Sequence, residues 1–358
     1  MSSELERRLE GVFAEAPEPD PGAGEEALHC ALRALRPVAA PRRGLRSAVL
    51  AFAAIVVLLV IAAGSLAAVG ALHVSFGAKP KPDPATTKLV LPQGANGAAA
   101  IVNGRLSVVT KDGLGLDEQT VSAAALSPRA LYVAAGIGNS LVAMAPNGRR
   151  AWSHPAGGRV VAIAWAPDGF RIAYIVHSGR HFVLHLIYGN GINDTMIDRS
   201  VRAVRPSWRG NSLAFAYVGG GGRAIVYDVG HESRHVVAVN PPVTGIAFAP
   251  AGDALALEGT NGMSLVEQSS YRHIAAADVE AFGWLNGRLA VAVPGSNSAV
   301  IHLFAADGAS RGSSQAHGIV RAITPRLVLV QRGRKLLAGH TTLLTVPRGA
   351  TVRDLQVG

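Results

Sequence analysis

IAWAPDGFRIAYI, residues 163–175, reads as two strands around one tight turn. Ile163-Ala164-Trp165 and Arg171-Ile172-Ala173-Tyr174-Ile175 are rich in β-branched and aromatic residues, which suit a pleated, packed surface. Pro167-Asp168-Gly169 between them supplies the fixed φ and the positive-φ position that a short reversal needs. Phe170-Arg171-Ile172-Ala173-Tyr174-Ile175 is mostly apolar, as expected of a strand whose two faces are both covered.

The unit recurs. Equivalent stretches begin at Ala124 (AALSPRALYVAA), Arg205 (RPSWRGNSLAFAYV), Ile246 (IAFAPAGDALALE), Phe282 (FGWLNGRLAVAV) and Ala322 (AITPRLVLV). Taking Leu126, Trp165, Trp208, Phe248, Trp284 and Ile323 as one position, the intervals are 39, 43, 40, 36 and 39 residues, 39.4 on average. Strand-only repeats of about 40 residues define the blades of a β-propeller, because a four-stranded sheet covers both faces only by stacking in a ring. Residues 88–358 therefore hold seven blades, or six if residues 88–120 are irregular or give only a closing strand. The Trp165–Tyr174 unit, W-A-P-D-G-x-x-I-A-Y, with echoes at Trp208 and Phe248, resembles the repeat of TolB-like or WD40-like PD40 propellers. That resemblance implies a bacterial envelope or periplasmic binding platform.

The chain ahead of the repeats differs in kind. Ser47 to Leu72 contains 26 residues and no charge. As a helix of about 1.5 Å per residue it exceeds the ~30 Å bilayer core, so it is expected to be an uncleaved single-pass transmembrane helix. Five arginines in the 20 residues before it against three lysines in the 20 after it place the N-terminus inside. Residues 1–46 form a cytoplasmic head. Leu5, Leu9, Val12 and Phe13, then Leu28, Leu32 and Leu35, make two short amphipathic helical patterns separated by Pro17, Pro19 and Pro21. Residues 73–87 are a Pro-rich linker, an extended spacer.

Charge divides along the same boundaries. The chain carries +10 overall. Residues 79–358 hold 27 Lys and Arg against 16 Asp and Glu, while the head is close to neutral. With 49% hydrophobic residues and one cysteine, Cys30, the chain is neither a disordered polyelectrolyte nor a disulfide scaffold. Scattered arginines outside the cytoplasm favour an envelope protein or an anionic envelope polymer as partner over nucleic acid.

The search for chemistry assigns no catalytic, cofactor-binding or metal-ligating residue and leaves the ligand-binding residues open. His181 and His185, four apart on a strand, stand about 13 Å apart at ~3.3 Å per residue and cannot share a metal. Gly219 to Gly222 followed by Arg223 lies between two strands and reads as a flexible hairpin tip, since a phosphate loop needs GK[ST] and a helix. His29 and Cys30 lack the further ligands of a zinc site. The expected protein is a membrane-anchored extracytoplasmic propeller, a non-enzymatic binding or scaffolding module without cofactor that holds its ligand on one face or in the central channel. One alternative is a transmembrane regulator whose head docks a cytosolic partner. The other is an enzyme with an unrecognised site in the channel.

Overall fold

Seven four-stranded antiparallel sheets account for every strand among the described residues. The computed structural model describes residues 89–357 apart from 113–114, 238–241, 268–269, 275–277 and 297. The predicted head, transmembrane helix and linker lie outside the described residues. Among the described residues no helix is long and apolar enough to cross a membrane.

Each sheet is one blade. The first strands of blades 2 to 7 are Ala124–Leu126, Arg159–Trp165, Ser207–Trp208, Val243–Phe248, Ala281–Leu285 and Ile319–Ile323. Every residue chosen as the repeat position falls in the last two places of one of these strands. Blade 1 is assembled from both ends of the body: Gly97–Val102, Arg105–Thr110 and Gly115–Thr120 come from its start and Val352–Val357 from its end. Ala98 pairs with Val357 and Val102 with Val352, so the last strand closes the ring. Residues 88–120 thus supply three strands of a blade, and the count is seven. Six was the reading that treated this stretch as irregular; it fails because the missing fourth strand lies at the other end of the chain.

Packing follows from the two-residue period of a strand. In blade 2, Ala124, Leu126, Val133, Ala135, Val142 and Met144 face blade 1, whereas Ala123, Ala125, Ala134 and Leu141 face Ile163, Ile172 and Tyr174 of blade 3. The same division repeats around the ring, giving one apolar cluster for each neighbouring pair of blades. Alanine is frequent at these faces because sheets converging on an axis leave little depth near it.

The turn after the first strand is also shared. Ala130, Gly169, Ser212, Gly252 and Gly287 all have positive φ, between 54° and 81°. Glycine takes this conformation freely, and Ala130 and Ser212 adopt it at a cost of about 1 kcal/mol. Ser212 gains something in return: its hydroxyl accepts from the Asp168 amide of the preceding blade at 2.9 Å. Residues 79–358 form a compact unit that contains every strand among the described residues, the closing pair included.

Candidate functional site

Side-chain ties between blades fix the first strands around an axis. The Trp165 indole donates to the Ala125 carbonyl, Trp208 to Ala164 and Trp284 to Ala247, each at 3.0 Å. In each case the acceptor immediately precedes the repeat position of the blade before. Phe248 has no indole, and there the Ser207 hydroxyl accepts from the Phe248 amide at 2.8 Å. At the closure the Gln356 amide group spans Leu126 N and Ala124 O at 3.0 and 2.9 Å, and Asp354 accepts from Ala124 N at 3.1 Å.

These strands surround a channel of about 730 Å³ to which all seven blades contribute. Trp165 and Trp208 form part of its wall with Ile246 and Phe282. Their indole N–H groups are spent on backbone carbonyls, so the rings offer the channel only apolar surface. The charged lining residues are Arg205, Arg321, Glu258 and Glu280. Arg321 Nε donates to Gln331 at 2.7 Å. Gly245 lets Glu258 lie close, since a Cβ there would meet the Glu258 carboxylate at 2.5 Å and the Phe282 ring at 2.6 Å. Burial raises the Glu258 pKa above the ordinary carboxylate value, and the neighbouring Thr244 pulls partly the other way. Burial lowers that of Arg205, while Asp354, in blade 1 across the ring, acts to raise it.

The turns after the first strands of blades 2 to 4 carry exposed apolar side chains. Pro128 and Pro167 line the channel from the turns that follow the first strands of blades 2 and 3. Five residues past the repeat position, Leu131, Phe170 and Leu213 stand 58, 74 and 56% exposed on three successive blades. Phe170 also borders a second hollow of about 450 Å³ with Arg171, Tyr188 and Asn190. Single exposed apolar residues need no explanation, but three at one repeat position do. Their spacing of 39 and 43 residues was present in the repeat alignment.

A polar network ties the outermost strand of blade 2 to blade 3. Tyr174, fully buried, donates to Asp194 at 2.8 Å, and His185 Nδ1 and His154 Nε2 approach the same carboxyl at 3.0 and 3.4 Å. Burial alone would raise the Asp194 pKa, but the hydrogen bonds from His185 and Tyr174 and the nearby imidazoles bring it below the ordinary value. Burial, together with this carboxylate, pushes the Tyr174 phenol far up. Tyr217, the equivalent residue one blade on, donates to Asp198 at 2.9 Å and is raised in the same way.

His181 and His185 are thereby separated in role. His185 joins this network, whereas His181 is exposed and pairs across the hairpin with Ser178. Sequence spacing gave no signal for the partners Asp194 and His154. Among the described residues no group of three or more His, Cys, Asp or Glu is arranged to hold a metal. Gly219 to Gly222 does turn between Ala214–Val218 and Ala224–Asp228, with Gly222 N donating to Gly219 O at 2.8 Å. The turn is not slack. A Cβ at Gly220 would meet Ser200 Oγ at 2.2 Å and one at Gly222 would meet Arg202 at 3.0 Å, so the glycines allow close packing on blade 3.

Fold and channel together define a seven-bladed β-propeller with an open, mixed-charge central channel. No protein-family model matches the chain, and no curated protein matches it. Among solved structures it is similar to TolB from Acinetobacter baumannii, with 13% identity and a TM-score of 0.44 over 62% of this chain. That match spans 66% of the TolB chain, just under two thirds. It is also similar to U3-55K, at 10% identity and a TM-score of 0.46, covering 61% of this chain and 76% of that one. The RRP9 WD40 repeats match at 9% identity with a TM-score of 0.47, over 61% and 75% of the two chains.

Proposed function

We propose that residues 88–358 are the extracytoplasmic body of a single-pass membrane protein of the bacterial envelope and bind a partner without catalysis, through the central channel and the mouth around it. The observation that carries this reading is the channel of about 730 Å³ lined from every blade. Its size lies in the range of ligand-holding cavities, and loops positioned by a rigid scaffold converge on its mouth. The uncharged run Ser47 to Leu72 and the arginines before it support the anchor and its orientation. The exposed apolar side chains Leu131, Phe170 and Leu213, at one repeat position, favour a protein over a polyanionic polymer as the partner, since a polymer of like charges gains little from exposed apolar side chains.

The test has two parts. Protease added to spheroplasts is expected to digest the body, and protection of the body refutes the topology. Affinity capture with residues 79–358 is expected to retain an envelope protein, and Ala281→Trp, which narrows the channel, to abolish that retention. Capture that survives the narrowing together with Phe170→Ala removes the channel and its mouth as the site.

A further inference from the structure

Within the channel one cation has no hydrogen bond or ion pair among the described residues. Arg321 is bonded to Gln331, and Arg209 lies 3.3 Å from Asp253 with its guanidinium over the Phe248 ring. Arg205 makes no hydrogen bond or ion pair with any described residue, yet it lines the channel where burial disfavours a bare charge. Asp354, the acid nearest in effect, accepts a hydrogen bond from Ala124 N and influences Arg205 only through space. A guanidinium carries five donors in a planar fork that matches a carboxylate in two parallel bonds.

We propose that Arg205 anchors one carboxylate of a peptide segment that enters the channel from the partner protein; this rests on the channel being the binding site. Three features choose this ligand among anions. Arg205 and Arg321 are balanced by Glu258 and Glu280, with Asp354 close behind, so a dianionic phosphate or a polyanion meets as many acids as bases. A single negative charge beside Arg205 is what this arrangement accommodates. The walls nearby are apolar, formed by Trp165, Trp208 and Phe282, which fits a carboxylate borne on apolar residues. Arg205 also lies only three residues before Trp208, and both line the channel. A short peptide meets both. The excess of basic residues elsewhere on the body lies outside the channel and plays no part in the site.

The experiment uses residues 79–358, a compact unit with every strand among the described residues and the closing pair. The probes are two synthetic pools of apolar hexapeptides, identical except that one ends in a free carboxylate and the other in an amide. Retained peptides are read by mass spectrometry, and affinities of individual members by quenching of Trp165 and Trp208. The free-acid pool is expected to be retained, the amidated pool not. Arg205→Gln is expected to weaken binding about ten- to a hundredfold, the scale of one charge-assisted bidentate contact, and Arg205→Lys to restore part of it. Thermal melts of both variants report that the ring is intact. Equal retention of the two pools, no retention of either, or binding indifferent to Arg205→Gln overturns the proposal. So does displacement of the peptides by millimolar inorganic phosphate. Free-acid binding lost in Ala281→Trp but unchanged in Arg205→Gln rejects the anchor and keeps the channel; binding unchanged in both rejects the channel as well.

Discussion

Trp208→Phe tests the tie between blades most directly. The indole is 8% exposed, donates to Ala164 O at 3.0 Å, and lies with its ring centroid 4.8 Å from that of Phe215. Phenylalanine keeps an aromatic ring in place but removes the donor. The hydrogen bond is worth about 1 kcal/mol net, and deleting only its donor costs about 1–3 kcal/mol where the Ala164 carbonyl stays buried. For a body of this size each kcal/mol moves Tm by roughly 2–4 °C, so the expected fall is on the order of 2–12 °C. Far-UV circular dichroism during urea and thermal unfolding measures it, with an unchanged urea slope as the sign that only stability has moved. Trp165→Phe and Trp284→Phe, which break the same bond in other blades, should fall in the same range. A loss below about 0.5 kcal/mol, the level expected of a surface substitution such as Phe170→Ala, refutes the claim that the indole bonds hold the blades in register.

Three further outcomes follow from the same geometry. Gly210→Ala places a Cβ 1.9 Å from the Pro250 carbonyl and should destabilise the contact between blades 4 and 5 by about 1–3 kcal/mol or more, read by urea unfolding. Removing residues 352–358 deletes the closing strand with the Gln356 and Asp354 bonds, and the remaining strands are expected to lose their single cooperative transition in calorimetry. Tyr174 and Tyr217 have pKa values raised above the ordinary 10.0, so their contribution is complete below pH 10 and is lost as pH rises past it, when unfolded tyrosines ionise and folded ones do not. The double variant Tyr174→Phe, Tyr217→Phe should be less stable at neutral pH and show a shallower loss of stability above pH 10; an unchanged alkaline slope contradicts the assignment.

Asp194 carries the opposite dependence. Its pKa is held below the ordinary 3.8 by His185 and Tyr174 against the effect of burial, so its stabilising share is present above that value and disappears as pH falls through the lowered one. This network was not legible in the sequence. Tyr174 and His185 were visible as strand residues, but Asp194 sits in the turn before Thr195–Val201 and His154 on the previous blade, and no spacing rule joins them. The repeat, by contrast, was legible in blades 2 to 7, and blades 2 to 6 solve the same local problem with the same order of parts: an apolar residue at or next to the end of the first strand, a turn with a positive-φ residue, and a largely buried second strand.

What the repeat conceals is whatever depends on closure. Ala124 and Asp354 are 230 positions apart in sequence and bonded at 3.1 Å, a contact that exists only once Val352–Val357 has joined Gly97–Val102. The strand that residues 352–357 add to blade 1 holds the innermost place of its sheet, beside Gly97–Val102, and carries no Trp-Pro-Asp-Gly pattern, so the repeat does not reveal it. The environment of Arg205 has the same origin. Nothing around Arg205 in the sequence marks it out from the other 28 arginines. It becomes distinctive because blade 4 faces blade 1 across the ring, which sets the charge of Asp354 opposite it while Asp354 is itself engaged by Ala124. Ring closure therefore has two consequences that stand or fall together: it completes the seventh sheet, and it creates the electrostatic surroundings of the channel. If Arg205 anchors a carboxylate, Asp354→Asn should tighten peptide binding by removing the competing negative charge while loosening the closure it helps to hold. Affinity and Tm would then move in opposite directions, a divergence that a purely structural role for Asp354 does not produce.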